Sequence, residues 1–174
     1  MKTIELIIMA LFIGIGAALH VVVPPIFGMK PDMMLVMMFM GILLFPKIQN
    51  VIVIGLVTGF ISGLTTLFPA GFIPNVIDKS VTALVFFAML MMVKKYKDNK
   101  ITAPVLTSVG TLVSGTVFLT SALLIVGLPG NAGFIGFFVA VVLPAILINT
   151  VAAVIVYPIV LSIIKRSRSI QSAK

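Results

Sequence analysis

Six apolar runs, at about residues 4–23, 33–45, 51–68, 76–93, 103–127 and 134–164, take up most of the 174-residue chain. A helix rises about 1.5 Å per residue, so a run of about 20 apolar residues matches a hydrocarbon core about 30 Å thick. The runs predict an all-α membrane protein of six transmembrane helices, forming one domain over residues 1–174, with a cytoplasmic tail at 165–174. Composition agrees: 61% of residues are hydrophobic, 9% are charged and mean hydropathy is +1.32. Soluble domains carry about 25% charged residues, and disordered chains are far less apolar. Two runs are irregular. The 33–45 run is short for a full span, unless Pro31-Asp32 already lies in the outer interface or protein shields the helix. The 134–164 run is too long and holds Pro144 and Pro158, which predicts a short outer segment that breaks or kinks near Pro144. The opening segment, with Lys2 ahead of an apolar stretch, has the shape of a signal peptide but is read as a retained first helix.

The charges fix an orientation. With both termini inside, Lys2, Lys47, the run Lys94–Lys100 and the tail with Lys165, Arg166, Arg168 and Lys174 put ten of the twelve cations on the inner face. Glu5 and Asp98 are the inner anions, while Lys30, Asp32, Asp78 and Lys79 cancel outside. The whole net charge of +8 therefore sits on one side, the positive-inside pattern, and does not call for a nucleic-acid partner. Chemistry has little to work with. There are no cysteines, one histidine and no phosphate loop, and no nucleophile–base pair or metal cluster is visible, so no catalytic residue, metal or cofactor is expected.

Polar residues instead gather at one depth. Measured from the inner end of each helix, His20, Asp32, Asp78, Lys79 and Asn149 all lie about 22–24 Å up, in the outer third of the membrane. Thr116, Thr120 and Ser121 reach a similar level on the fifth helix. Ionisable groups at such depth face a cavity or a partner. Asn75, Asp78, Lys79 and Thr82 fall at i, i+3, i+4 and i+7 and so share one helix face. Two readings stand: a binding face, or a start of helix four capped by Asn75, with Asp78 complementing the dipole and Lys79 reaching back to the interface. Asn149 reads as a ligand contact or as helix–helix glue, and His20 as a ligand contact or a local hydrogen-bond partner. Tyr157, two turns deeper, reads as structural.

The outer connections, 23–32, 68–75 and 127–134, each combine Pro, Gly and Phe. Apolar loops of this kind are expected to cover something, with Phe27, Phe72 and Phe134 as candidate walls for an aromatic group. Small residues also recur at fourfold spacing: Ala10, Gly14 and Ala18 on the first helix, Gly55, Gly59 and Gly63 on the third. Such stripes let another helix come close. For the third helix packing inside the bundle is the expected use, whereas the first helix stays open on spacing alone.

Several strings resemble the tryptophan transporter family: Met9 through His20, Gly28-Met29-Lys30-Pro31-Asp32, Leu44-Phe45-Pro46, Phe68-Pro69-Ala70-Gly71, Ile73-Pro74-Asn75 with Ile77-Asp78-Lys79, and Leu124 through Pro129. The resemblance runs from about Lys2 to Lys165. It implies a substrate-binding S component of an energy-coupling factor transporter: a six-helix L-tryptophan binding subunit in the bacterial plasma membrane, partnered by a transmembrane coupling protein and two cytoplasmic ABC ATPases. Ala10, Gly14 and Ala18 match the stripe by which related S components meet the coupling protein. The resemblance supplies no map of substrate contacts. On the residues themselves, Asn75, Asp78, Lys79, Asn149, Lys30, Asp32 and His20 are the candidate binding set. A small ion-gradient-driven carrier with Asp78 or Asp32 as proton site is the alternative.

Overall fold

The computed structural model describes residues 2–22, 32–96, 101–129 and 133–172. Its elements are α1 (Thr3–Val22), α2 (Met33–Leu44), α3 (Ile48–Leu64), α4 (Phe72–Met92), α5 (Thr102–Ile125), α6 (Gly133–Phe137) and α7 (Leu143–Ser172). A π-helical stretch, Phe138–Val142, joins α6 to α7 in one rod, so the described residues form six helical rods and no strand. Thr3–Val22, Phe72–Met92, Thr102–Ile125 and Gly133–Ile163 are each long and apolar enough to cross a membrane, and α2 and α3 are shorter. Exposed leucines, isoleucines and valines, such as Ile7, Leu11, Leu147 and Val151, cover the outside of the rods. Single exposed apolar residues are ordinary, but a continuous coat of them belongs against lipid. The chain is a multi-pass membrane protein.

Local chemistry sets the helix ends. The carboxylate of Asp32 caps α2, Oδ1 accepting from Leu35 N at 3.0 Å. Pro46 disfavours the helical conformation at Phe45, where α2 stops. Helix α3 starts three residues before the apolar run and ends at Leu64, because a turn through residues 65–71 takes up the rest. Helix α4 starts at Phe72, four residues earlier than expected, with Pro74 in its first turn, where a missing N–H costs nothing. Leu143 N bonds to Phe138 O, a five-residue step directly ahead of Pro144. The expected break at that proline thus takes the form of a π-bulge, which makes room for a ring that would press on the preceding turn. Beyond Lys165, where the tail was expected to begin, the backbone stays helical to Ser172; the stretch contains no Gly or Pro to end the helix.

The short second helix is the centre of the bundle. At about 1.5 Å per residue its 12 residues reach only about 18 Å, and every residue from Met33 to Ile42 is buried. Of the two ways such a short run can work, shielding by protein is the one adopted. One side of α2 (Met34, Leu35, Met38, Phe39, Ile42) packs against α1, α3, α4 and α5, and the other (Met33, Val36, Met37, Met40) against α1, α5 and α7, where Tyr157 joins the core. Phe39 stacks on Phe86 of α4 with ring centres 4.0 Å apart, and Gly110 of α5 leaves the space those rings fill. At the end opposite Asp32, Glu5 of α1 meets Lys47 Nζ at 2.6 Å and Asn50 Nδ2 at 3.0 Å, tying α1 to the start of α3.

Helix α3 lies directly on α4, as its glycine stripe predicts. A Cβ at Gly59 would stand 2.9 Å from the Cα of Val76, and one at Gly55 would stand 2.8 Å from the Cβ of Ala83. The α1 stripe behaves oppositely: Ala10, Gly14 and Ala18 are all exposed, and nothing comes within 4 Å of a Cβ at Gly14. Adding a methyl group should separate the two cases. Gly59→Ala is expected to lower stability by about 1–3 kcal/mol through overpacking, read as a lower unfolding temperature of the purified protein in detergent. Gly14→Ala should show no loss. Equal unfolding temperatures for Gly59→Ala and the parent would mean that α3 and α4 do not meet backbone to backbone.

Candidate functional site

Helix periodicity builds the first wall. Asn75, Asp78, Lys79 and Thr82 lie on the face of α4 turned to the bundle interior, and all four are buried. Because α4 begins at Phe72, Asn75 is not its cap. Its Nδ2 instead donates back to Gly71 O at 2.8 Å, and the side chain joins the wall of a cavity. Asp78 sits in the second turn, too far in to act as a dipole partner, and Lys79 does not reach for the interface.

Lys79 points inward and holds two carboxylates. Its Nζ lies 2.7 Å from Asp32 Oδ2 and 2.7 Å from Asp78 Oδ2, and 3.3 Å from Ser114 Oγ. The three ammonium protons are thereby matched to three acceptors. Asp78 also accepts from Ser114 Oγ at 2.9 Å and from Thr82 Oγ1 at 2.9 Å. Asn149 Oδ1 accepts from the backbone N–H of Asp32 at 3.2 Å, and its Nδ2 donates to Thr111 Oγ1 at 3.4 Å. One network thus joins α2, α4, α5 and α7. The side chains of Asp78 and Lys79 are 1% and 3% exposed, whereas that of Asp32 is 27% exposed. Asp32 is therefore the member that presents charge to an incoming molecule. Counted as ionised, the trio carries one more negative than positive charge. An unpaired buried charge would cost several kcal/mol, so each of the three depends on the others.

The network forms one side of a cavity of about 320 Å³, in the size range of small-molecule sites. Asp32, Asn75, Asp78, Lys79, Asn149 and His20 all line it, as the depth argument expected. Lys30 and Phe27 lie outside the described residues. The fifth helix contributes different residues from those expected. Thr116 and Thr120 are exposed, Thr116 and Ser121 bond to carbonyls of their own helix, and it is Thr111 and Ser114 that face the site. Gly115 faces it as well; a Cβ there would strike Val142 at 2.5 Å, so the glycine lets α5 approach the π-bulge.

The aromatic wall also differs from expectation. Phe72 packs edge-on against Phe60, and Phe134 stacks with Phe138; neither lines the cavity. Phe68 and Phe118 do, edge to face with centres 5.3 Å apart. The turn after α3 explains this. Thr66 Oγ1 accepts from Phe68 N at 3.2 Å, and Ala70 takes a left-handed φ of 50°, which folds the segment back over the bundle. Thr66 of this turn and Ser62 from the last turn of α3 enter the wall with Phe68. Residue type gives no sign of which Ser or Thr faces inward; for Ser62, its spacing of i+3 from Gly59 and i+7 from Gly55, both packed on α4, was the available clue. The described residues hold no group of three or more His, Asp or Glu able to bind a metal. The arrangement suits a small molecule with a charged end, met by carboxylates and a lysine, and a flat apolar end, met by Phe68, Phe118 and Val142.

Comparison with known proteins places the chain in a family. The family model described as "Tryptophan transporter TrpP" matches residues 2–165. A protein of Bacillus subtilis (strain 168) named "Probable tryptophan transport protein" is 61% identical over 175 residues, covering all of both chains. Proteins of the same name are 45% identical in Clostridium acetobutylicum, over 88% of this chain and 89% of the relative, and 38% identical in Clostridium perfringens (strain 13), over 91% of each. No solved structure matches. With a family model spanning nearly the whole chain and a relative aligned from end to end, the chain belongs to the tryptophan transporter family.

Proposed function

We propose that this chain is the L-tryptophan binding subunit of an energy-coupling factor importer, with N- and C-termini in the cytoplasm and ATP hydrolysis supplied by two separate ABC ATPases through a transmembrane coupling protein. The observation that carries the binding reading is the cavity itself. A zwitterion needs both signs of charge close together, and Asp32, Asp78 and Lys79 stand at one side of a pocket whose other walls include Phe68 and Phe118. Asp32, the exposed edge of the trio, meets the ammonium group. Asn75 Nδ2, which has a second proton beyond the one given to Gly71 O, donates to the carboxylate, and the rings cover the indole. Asp78, Ser114 and Asn149 hold this arrangement in place. The names of the relatives support tryptophan as the substrate.

Energy in trans rests on two features: the chain has no phosphate loop, and α1 offers Ala10, Gly14 and Ala18 on an exposed, closely approachable face suited to a partner helix. The competing reading is an ion-gradient carrier, favoured by the one uncompensated carboxylate of the trio, which a proton or cation would neutralise.

Since the chain contains no tryptophan, ligand fluorescence excited at the red edge of indole absorption reports binding without a background from protein tryptophan. The purified protein is expected to bind tryptophan without ATP, and Asp32→Asn should weaken binding about 10- to 150-fold, the loss of about 1.5–3 kcal/mol from one charge-assisted bond. Unchanged affinity in a folded Asp32→Asn protein would place the ammonium elsewhere. In liposomes, the chain alone should not accumulate tryptophan under a proton or sodium gradient; accumulation would establish the carrier reading. Gly14→Leu should abolish uptake by the assembled importer while leaving tryptophan binding by the isolated chain intact. A parallel fall in binding would make the α1 stripe part of the chain's own packing.

A further inference from the structure

Ser62 differs from the other hydroxyls that line the cavity. It is 4% exposed, lines the wall, and its Oγ has no hydrogen-bond partner. The carboxylates, Asn149 and the other hydroxyls of the polar wall each already take a hydrogen bond. Asp78 receives Lys79, Ser114 and Thr82; Asp32 receives Lys79 and Leu35 N. Asn149 Oδ1 receives the Asp32 amide, Thr111 Oγ1 the Asn149 amide, Ser114 Oγ the Lys79 ammonium, and Thr66 Oγ1 the Phe68 amide. A buried hydroxyl left unpaired is costly, and native proteins keep few of them. Thr58, one turn earlier along α3, is likewise buried and unpartnered but does not line the cavity.

The indole ring brings the complementary need. Its N–H is a donor with no acceptor capacity, so enclosing the ring among Phe68, Phe118 and Val142 strands that proton unless the wall offers an oxygen. We infer that Ser62 is the specificity-determining residue of the site, its Oγ accepting the hydrogen bond of the indole N–H. The inference rests on the tryptophan reading proposed above. The same segment that carries Ser62 turns through Thr66 to place Phe68, so ring cover and N–H acceptor come from one stretch of chain. A site built this way discriminates by the hydrogen bond, because an analogue without the N–H leaves the serine unpaired again.

The test compares L-tryptophan with 3-benzothienyl-L-alanine, in which sulfur replaces the N–H at nearly constant shape, on the purified full-length protein. The parent should prefer tryptophan by about three- to ten-fold, the range of one net hydrogen bond. Ser62→Ala should bind the two ligands about equally, by losing affinity for tryptophan, while Thr58→Ala keeps the parent's preference. Ser62→Cys, a near-isostere with a poor acceptor, should behave as Ser62→Ala does and serves if the alanine variant does not fold. The inference is overturned if Ser62→Ala retains the preference, which would move the acceptor to another group such as Asn75, or if it weakens both ligands equally. A parent protein that binds neither ligand overturns the tryptophan reading itself, and Ser62's role with it.

Discussion

Lys79 carries one positive charge into the interior of a membrane protein, and the upper half of the bundle is organised around that charge. In lipid an ammonium needs partners. It finds Asp78 from its own helix, Asp32 from the start of α2 and Ser114 from α5. Each partner is in turn held: Asp32 by the cap it makes and by Asn149, Asp78 by Thr82 and Ser114. Four helices are thereby fixed relative to one another at the depth where the cavity opens. Replacing such an ion network by well-packed apolar residues is often neutral or stabilising in proteins. Stability alone therefore does not account for its presence here.

The other constraint is geometric. A helix of 12 residues cannot reach across the bilayer, so α2 is enclosed by its neighbours and its cap residue stands well inside the protein. This is how Asp32, which reads in sequence as a residue of an outer loop, becomes part of a buried network while keeping an exposed edge. Burial of α2 also requires neighbours that come close to it and to one another: Gly110 makes room for the Phe39–Phe86 stack, and Gly59 lets α4 lie on α3. The face of α1 away from this core carries small residues against nothing, which is what makes it available to another membrane helix.

Much of the site was legible before the structure. The i, i+3, i+4, i+7 pattern of Asn75, Asp78, Lys79 and Thr82 is a property of helix geometry, and counting rise per residue put Asp32 and Asn149 at the same level. Serines and threonines were not legible in this way. In an apolar helix such a hydroxyl can bond its own i−4 carbonyl, as Thr116 and Ser121 do, so the residue type does not reveal its direction. Thr111, Ser114 and Ser62 were missed for that reason. The aromatic wall was misassigned because loop composition says that rings are present without saying which ones turn inward; the Thr66–Phe68 turn and the left-handed Ala70 decide it. The uniform hydrophobicity of α2 has no periodicity to read, and only its shortness hinted at burial on all sides.

The central claim is that the charged side of the cavity recognises the amino-acid group and the aromatic side the indole. Calorimetric titration of the purified protein with L-tryptophan, tryptamine and indole-3-propionate tests it most directly, because the analogues keep the ring and each removes one charge. The account predicts strong heat of binding for tryptophan and affinities at least about tenfold weaker for both analogues, the loss of one charge-assisted contact in each. Indole-3-propionate binding as tightly as tryptophan would contradict it, since a site presenting Asp32 to an ammonium group has no reason to accept a ligand that lacks one.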